Sequence, residues 1–200
     1  MPLIIETIVT THNPEGTAYI APLGLIAEGD HWVIAPFKPS RTLDNLLSHP
    51  FACASHTTDV RVFAGGVTGR KSWPVVPATQ ITGSRLAGCV SHWELAVDQF
   101  IEDDQRPRFK CRIVHTESHA PWGGYNRAQA AVIECAVLVT RLHMLPVDKV
   151  ESELKYLEIA ITKTAGPLER EAWAWLMERI EAWRDNGPKG QGTPALDPPT

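Results

Sequence analysis

The chain has 200 residues, 44% of them hydrophobic and 21% charged, with a net charge of −4. A chain of this length buries roughly 70% of its unfolded surface and folds without a disulfide or a structural metal. The negative balance argues against a nucleic-acid partner bound through its phosphates, and no run approaches the ~18 apolar residues of a membrane span.

Residues 4–11 (Ile-Ile-Glu-Thr-Ile-Val-Thr-Thr) are β-branched almost throughout and predict a largely buried strand. Asn13-Pro14-Glu15-Gly16 supplies turn chemistry, and Thr17 to Gly24 returns as the second strand of a hairpin. After Glu28-Gly29-Asp30, Trp32-Val33-Ile34-Ala35 is the third strand of a meander. Pro22 and Pro36 cannot donate to a ladder and mark strand ends, an edge or a bulge.

Lys38-Pro39-Ser40-Arg41-Thr42-Leu43-Asp44-Asn45-Leu46 then opens a short helix over 41–48. The first turn of a helix carries unpaired N–H groups and a partial positive charge, which suit a phosphate. Arg41 can grip phosphate oxygens with two parallel bonds, and Ser40 and Thr42 add hydroxyls. The plainer reading makes Ser40 a helix cap. Both stay open on this segment alone.

Phe51 to Ser55 is the next strand, and 59–64 a short helix. The stretch from Gly65 to Gly83 reads as loop. Its Gly65-Gly66-Val67-Thr68-Gly69-Arg70-Lys71-Ser72 run fails as a nucleotide P-loop, because Arg70 separates Gly69 from Lys71 and Trp73-Pro74 follows where a helix is needed. Strands resume over Leu86–Val97 and Arg108–Thr116. Strands joined without helical crossovers predict an antiparallel, barrel-like sheet.

The last third is helical. Asn126 can cap a helix over 127–144 whose apolar residues surround most of its circumference. Tyr125-Asn126-Arg127 at its start admits two readings: a cap with a paired arginine, or a substrate pocket over a cofactor. Pro146 begins a second helix, Gly166-Pro167 is a stop and restart, and a third helix carries Trp173 to Trp183. From Asn186 glycine and proline dominate, which predicts a disordered tail. The expected division is a barrel domain over 1–122, a three-helix subdomain over 123–185 and the tail over 186–200.

Cys53, Cys89, Cys111 and Cys135 stand 36, 22 and 24 residues apart, a spacing that suits neither a zinc knuckle nor a redox dithiol. They read as buried, reduced cysteines, and with no signal-peptide pattern at the N-terminus the chain is expected to be cytoplasmic. His115 and His119 stand four apart, but on a strand that spacing holds them roughly 13 Å from each other, so no metal centre is expected from the pair.

Several of these pieces occur together in one known architecture. Ile8-Val9-Thr10-Thr11 with Asn13-Pro14-Glu15-Gly16, Ala21-Pro22-Leu23-Gly24, Phe37-x-x-Ser40-x-Thr42-x-x-Asn45-Leu46, Tyr125-Asn126-Arg127-Ala128 and Thr140-Arg141-Leu142-His143 carry the likeness. In this order they resemble the flavin-mononucleotide (FMN)-binding split barrel, and within it an uncharacterised, flavin-reductase-like family described as a domain of unknown function. The likeness spans roughly residues 4–183. It implies an antiparallel split barrel followed by C-terminal helices, with FMN in the groove of a homodimer. It implies phosphate binding by Lys38, Ser40, Arg41, Thr42 and Asn45, and a flavin ring beside Thr10, Thr11, Pro22, Leu23 and Gly24. Tyr125, Asn126 and Arg127 would face a small-molecule substrate. The implied activity is hydride transfer between a nicotinamide or other donor and an unknown substrate; the alternative is a non-catalytic flavin carrier or structural dimer, since fold does not transfer activity. Lys38-Pro39 departs from the small residue or glycine expected there.

Overall fold

The β-branched N-terminal run folds as β1 (Ile4–His12) and returns antiparallel as β2 (Ala18–Glu28) in the computed structural model, which describes residues 1–185. Asn13 closes the turn twice: its carbonyl accepts from the Gly16 amide, and its side chain accepts from the Thr17 amide at 2.7 Å. Gly16 holds φ +82°, a left-handed geometry that a Cβ disfavours. β3 (His31–Ile34) completes the meander. Beyond α1 (Arg41–Ser48), β4 (Phe51–His56) pairs back onto β1. The long hairpin of β7 (Ser91–Ile101) and β8 (Arg108–Ser118) joins β4 to β3. The order β1-β2-β3-β8-β7-β4 closes into a barrel, so its ladder has no open edge.

Side-chain alternation assigns the two faces of this sheet. Val9, Leu25, Ile34, Ala54, Leu95 and Phe109 point inward and share one apolar cluster with Leu43 and Leu46 of α1. Trp32 and Trp93 border it with ring centroids 4.9 Å apart. Cys53, Cys89, Cys111 and Cys135 are all buried free thiols. Burial pushes Cys53, Cys111 and Cys135 up to about 12, so these three stay protonated and unreactive.

Two departures concern residues 58–83. The stretch expected as loop holds β5 (Val75–Pro77), which pairs with β6 (Ser84–Leu86) just beyond it in a separate two-stranded ribbon. The short helix expected at 59–64 is α2 (Arg61–Thr68), which takes in Gly65 and Gly66 and ends at Gly69 with φ +86°. The described residues form two compact units: Met1–Thr57 with Ser72–Trp122, and Thr58–Lys71 with 123–185. Although it lies within 1–122, α2 therefore groups with the helices. Its buried Val62, Phe63 and Ala64 and the Arg61–Glu171 (3.0 Å) and Arg70–Glu178 (2.8 Å) ion pairs tie it to α5.

The helical unit contains α3 (Arg127–Thr140), α4 (Val147–Thr164) and α5 (Pro167–Asp185). α3 is buried on several faces, as its composition predicts, but stops at Thr140 instead of 144. There the Arg141 amide bonds Leu138 O in a tighter turn, while the Thr140 hydroxyl donates to Val137 O. At the start of α5, buried Glu169 accepts from the Gly166 amide at 2.9 Å and from Gln129 Nε2 at 3.0 Å. That is half of a capping box, fastened to α3. Among the described residues no helix is long and apolar enough to cross a membrane. The tail expected at 186–200 lies outside the described residues.

Candidate cofactor site

Ser40 adopts extended backbone, and its Oγ accepts from the Leu43 amide at 3.3 Å, so it caps α1. The cap uses a lone pair of the hydroxyl and leaves its hydrogen for another acceptor. Inward, Leu43 and Leu46 enter the core, and Asn45 Nδ2 donates to Thr11 Oγ1 at 2.9 Å in a buried bond. Thr42 is buried on the same side, whereas Arg41 and Asp44 face outward. The Arg41 guanidinium lies 5.8 Å from the centre of the Tyr19 ring. Lys38 pairs with Glu102 at the surface, and the Lys38–Pro39 peptide is cis. Ser40, Arg41 and Lys38 thus line the outside of this turn, while Thr42 and Asn45 seat the helix on the barrel. Asn45→Ala should cost about 1–3 kcal/mol by stranding a buried hydroxyl and loosening α1. Urea unfolding would register this as a lower midpoint at unchanged slope.

The ring residues expected from the sequence divide between the faces of the sheet. Thr11 and Leu23 lie on the inner-facing register with Val9 and Leu25; Thr10, Pro22 and Gly24 lie on the outer one. Thr10 Oγ1 is buried without a hydrogen-bond partner among the described residues. A Cβ at Gly24 would stand 2.7 Å from Ile4 Cγ2 and 3.3 Å from Glu6 Oε1, so close approach of β1 accounts for the glycine.

That outer face adds His92, Glu94 and Glu117, which the sequence did not single out, to Thr10, Cys53 and His115. Register places Thr10, Cys53, Glu94 and His115 in one row across β1, β4, β7 and β8, and Ile8, Ser55, His92 and Glu117 in the next. His92 and Glu94 are fully buried. The Glu94 carboxylate accepts from the backbone N–H groups of Thr79 (2.6 Å), Gln80 (2.8 Å) and Ile81 (2.9 Å), and from His92 Nε2 at 3.1 Å. Burial alone would raise its pKa, but these donors together hold it below the ordinary carboxylate value. The legible signal is a period-two repeat of charge-bearing residues, His92-x-Glu94 and His115-x-Glu117, inside two predicted strands.

Tyr125, Asn126 and Arg127 belong to the helical unit. Asn126 Oδ1 accepts from the Ala128 amide at 2.7 Å, and Nδ2 donates to Thr164 O at 3.1 Å. Both ends of this amide therefore fasten the start of α3 to the end of α4. Tyr125 and Arg127 are exposed. Asn126→Ala should lower stability by about 1–2 kcal/mol through loss of the cap, measured by chemical denaturation.

A closed antiparallel barrel with a polar turn at the start of α1 and a helical C-terminal part is a split β-barrel protein. The N-terminal domain of the family described as protein of unknown function (DUF447) matches residues 5–120, and a second DUF447 segment matches 126–178. The chain belongs to that family. An FMN-bound DUF447 protein from Methanosarcina mazei has the same fold at 19% identity, with a TM-score of 0.76 over 90% of this chain and 96% of its own. A 2-nitrobenzoate 2-nitroreductase from Pseudomonas fluorescens aligns at 20% identity and a TM-score of 0.50, over 60% of this chain and 66% of its own. No curated protein is significantly similar to the chain in sequence.

Proposed function

We propose that this chain binds FMN with its phosphate at the start of α1, and that it works as an oxidoreductase passing hydride equivalents from a nicotinamide or other donor to a small substrate. The observation that carries this reading is an outward-facing Arg41 at the capped N-terminus of a helix locked to the barrel by Asn45 and Thr11. A guanidinium, a hydroxyl hydrogen and first-turn N–H groups in one place form a donor set suited to a phosphate dianion. The residues present fit the group. The FMN-bound relative of the same family supports the choice of ligand, and the nitroreductase supports redox work on this fold.

In this reading Ser40 and Arg41 hold the phosphate, with Lys38 as a second cation released from Glu102. Thr42 and Asn45 keep α1 in place. Thr10, whose buried hydroxyl has no partner among the described residues, and the Pro22–Gly24 segment of β2 border the ring. Tyr125 and Arg127 keep the substrate-side assignment, and Asn126 acts as scaffold. The bound flavin would supply the hydride chemistry, and the protein's part is to bind and orient it. The proposal includes a homodimer with the flavin in the subunit groove, in the cytoplasm.

The test is spectroscopic. Purified protein should show a flavin band or quench added FMN at one equivalent per chain, and NADH or NADPH under anaerobic conditions should bleach that band. Protein that stays colourless and leaves FMN fluorescence unchanged overturns the reading. A bound flavin inert to every donor keeps the binding and overturns the oxidoreductase.

A further inference from the structure

The outer face of β7 and β8 carries a second chemistry, separate from the flavin reading. Glu94 is buried, and both of its oxygens receive donors: Oε1 from the Thr79 amide and Oε2 from the Gln80 and Ile81 amides. A carboxylate clamped in this way is an acceptor, so His92 Nε2, 3.1 Å from Oε1, must carry the hydrogen between them. In the neutral ring that leaves Nδ1 as the bare nitrogen. It points toward His119 Nε2 at 3.0 Å.

Glu117 stands beside this pair. Its Oε1 lies 3.9 Å from His119 Nδ1, and its Oε2 accepts from the Thr79 hydroxyl at 3.1 Å. One ligand atom from each of His92, Glu117 and His119 falls within 4.8 Å of the others. His115 Nε2, 3.5 Å from Glu117 Oε2, is a buried atom without a hydrogen-bond partner among the described residues. Two imidazole nitrogens bound to one tetrahedral ion at about 2.0 Å stand about 3.3 Å apart, so the His92 and His119 nitrogens, at 3.0 Å, are already near that separation. The exposed Glu117 side chain closes in from within 4.8 Å.

We propose that His92 Nδ1, His119 Nε2 and the Glu117 carboxylate form a site for a divalent first-row metal ion, zinc foremost, with Glu94 as the outer carboxylate that orients His92. The donor set selects the ion: two imidazoles and one carboxylate suit zinc, cobalt, iron or nickel and not magnesium or calcium. The chain from metal to His92 to Glu94 is the carboxylate–histidine arrangement that fixes ring orientation in metal sites, here anchored further by three backbone amides. Burial grades correctly for such a site. His92 is inaccessible, whereas His119 and Glu117 are partly exposed and leave the ion a path from solvent. The Arg85 guanidinium acts on His119, and the carboxylates of Glu94 and Glu117 outnumber it.

A β-bulge makes the arrangement. Glu94 pairs with His115 and Leu95 with Ile113, so Val114 is passed over in the ladder. Strict alternation would turn His115 and Glu117 to the same face as inward-pointing Ile113. The extra residue re-aims both onto the outer face.

The experiment is isothermal titration of zinc chloride into the full-length protein after EDTA treatment and dialysis, followed by His119→Ala and Glu117→Gln. Both variants change partly exposed side chains and should keep the wild-type circular dichroism. The wild type should saturate at one equivalent. Each variant should bind at least ~10–100-fold more weakly, the loss that even outer-shell changes cause. Glu94→Gln, a positioning change, should weaken zinc within that same ~10–100-fold range. Wild-type protein that takes up no stoichiometric zinc, or variants that bind as tightly as it does, would mean that His92 and His119 only share a proton, and the site is refuted. FMN binding by the same samples is read separately from its absorbance.

Discussion

Glu94→Ala is expected to lower the unfolding free energy by about 3 kcal/mol, among the larger effects a single truncation can have. The side chain is fully buried and joins four donors: three successive backbone amides of Thr79, Gln80 and Ile81, and His92 Nε2. Removing it strands all four. Thr79 and Gln80 sit at the surface, so their amides can recover water when the ribbon loosens, which keeps the cost below the sum of four lost bonds. His92 is fully buried and has no such recourse. Urea unfolding gives the magnitude, and amide exchange should lose protection first at residues 79–81. A loss below about 1 kcal/mol would mean that the carboxylate is dispensable there.

Acid probes the same contact. Glu94 is held below its ordinary value in the folded state, so its contribution is complete above about pH 4.5 and is lost as pH falls through the folded value. The stability gap between wild type and Glu94→Gln, measured with EDTA present throughout, should therefore narrow only below about pH 4.5. His92, His115, Glu117, Cys53 and Arg85 face the site in both proteins, so the difference between them reports on Glu94.

Local signals carried most of the fold into the sequence. The helix at 41–48 was legible because a serine cap, a preceding proline and inward Leu43 and Leu46 all agree. The Asn13–Gly16 turn and the β-branched run before it likewise leave one reading. What escaped depends on non-local pairing. His92 and Glu117 are 25 positions apart and become neighbours only through the β7–β8 register, which a bulge at Val114 resets. His119 was visible as half of a His115–His119 pair, but its partner is His92. α2 was visible as a helix, yet Val62 and Phe63 are apolar whichever unit they join, so the sequence left its side open, and packing with the Arg61 and Arg70 ion pairs to α5 decides it. Ser40 shows a different kind of ambiguity, because its cap was one of two open readings and the observed bond leaves room for the other.

Arg41→Ala separates those two readings. It should weaken FMN by about 10–100-fold, since a charge-assisted bond to phosphate is worth roughly 1.5–3 kcal/mol. Riboflavin, which lacks the phosphate, should bind both proteins alike to within about threefold, an effect of well under 1 kcal/mol. The substitution is mild for the fold because Arg41 faces outward, and its contact with Tyr19 is worth about 0.5–1 kcal/mol at an exposed site. Arg41→Lys should fall between, keeping the charge and losing the planar fork. Ionic strength gives an independent reading: added salt should weaken FMN on the wild type more than on Arg41→Ala, because one screened attraction has been removed. Fluorescence quenching of both flavins yields all four constants. Equal losses for FMN and riboflavin would place the phosphate elsewhere and leave Ser40 as a cap alone. Loss confined to FMN would tie the yellow ligand's charged end to the first turn of α1, with Asn45 and Thr11 behind it as the reason that turn holds still.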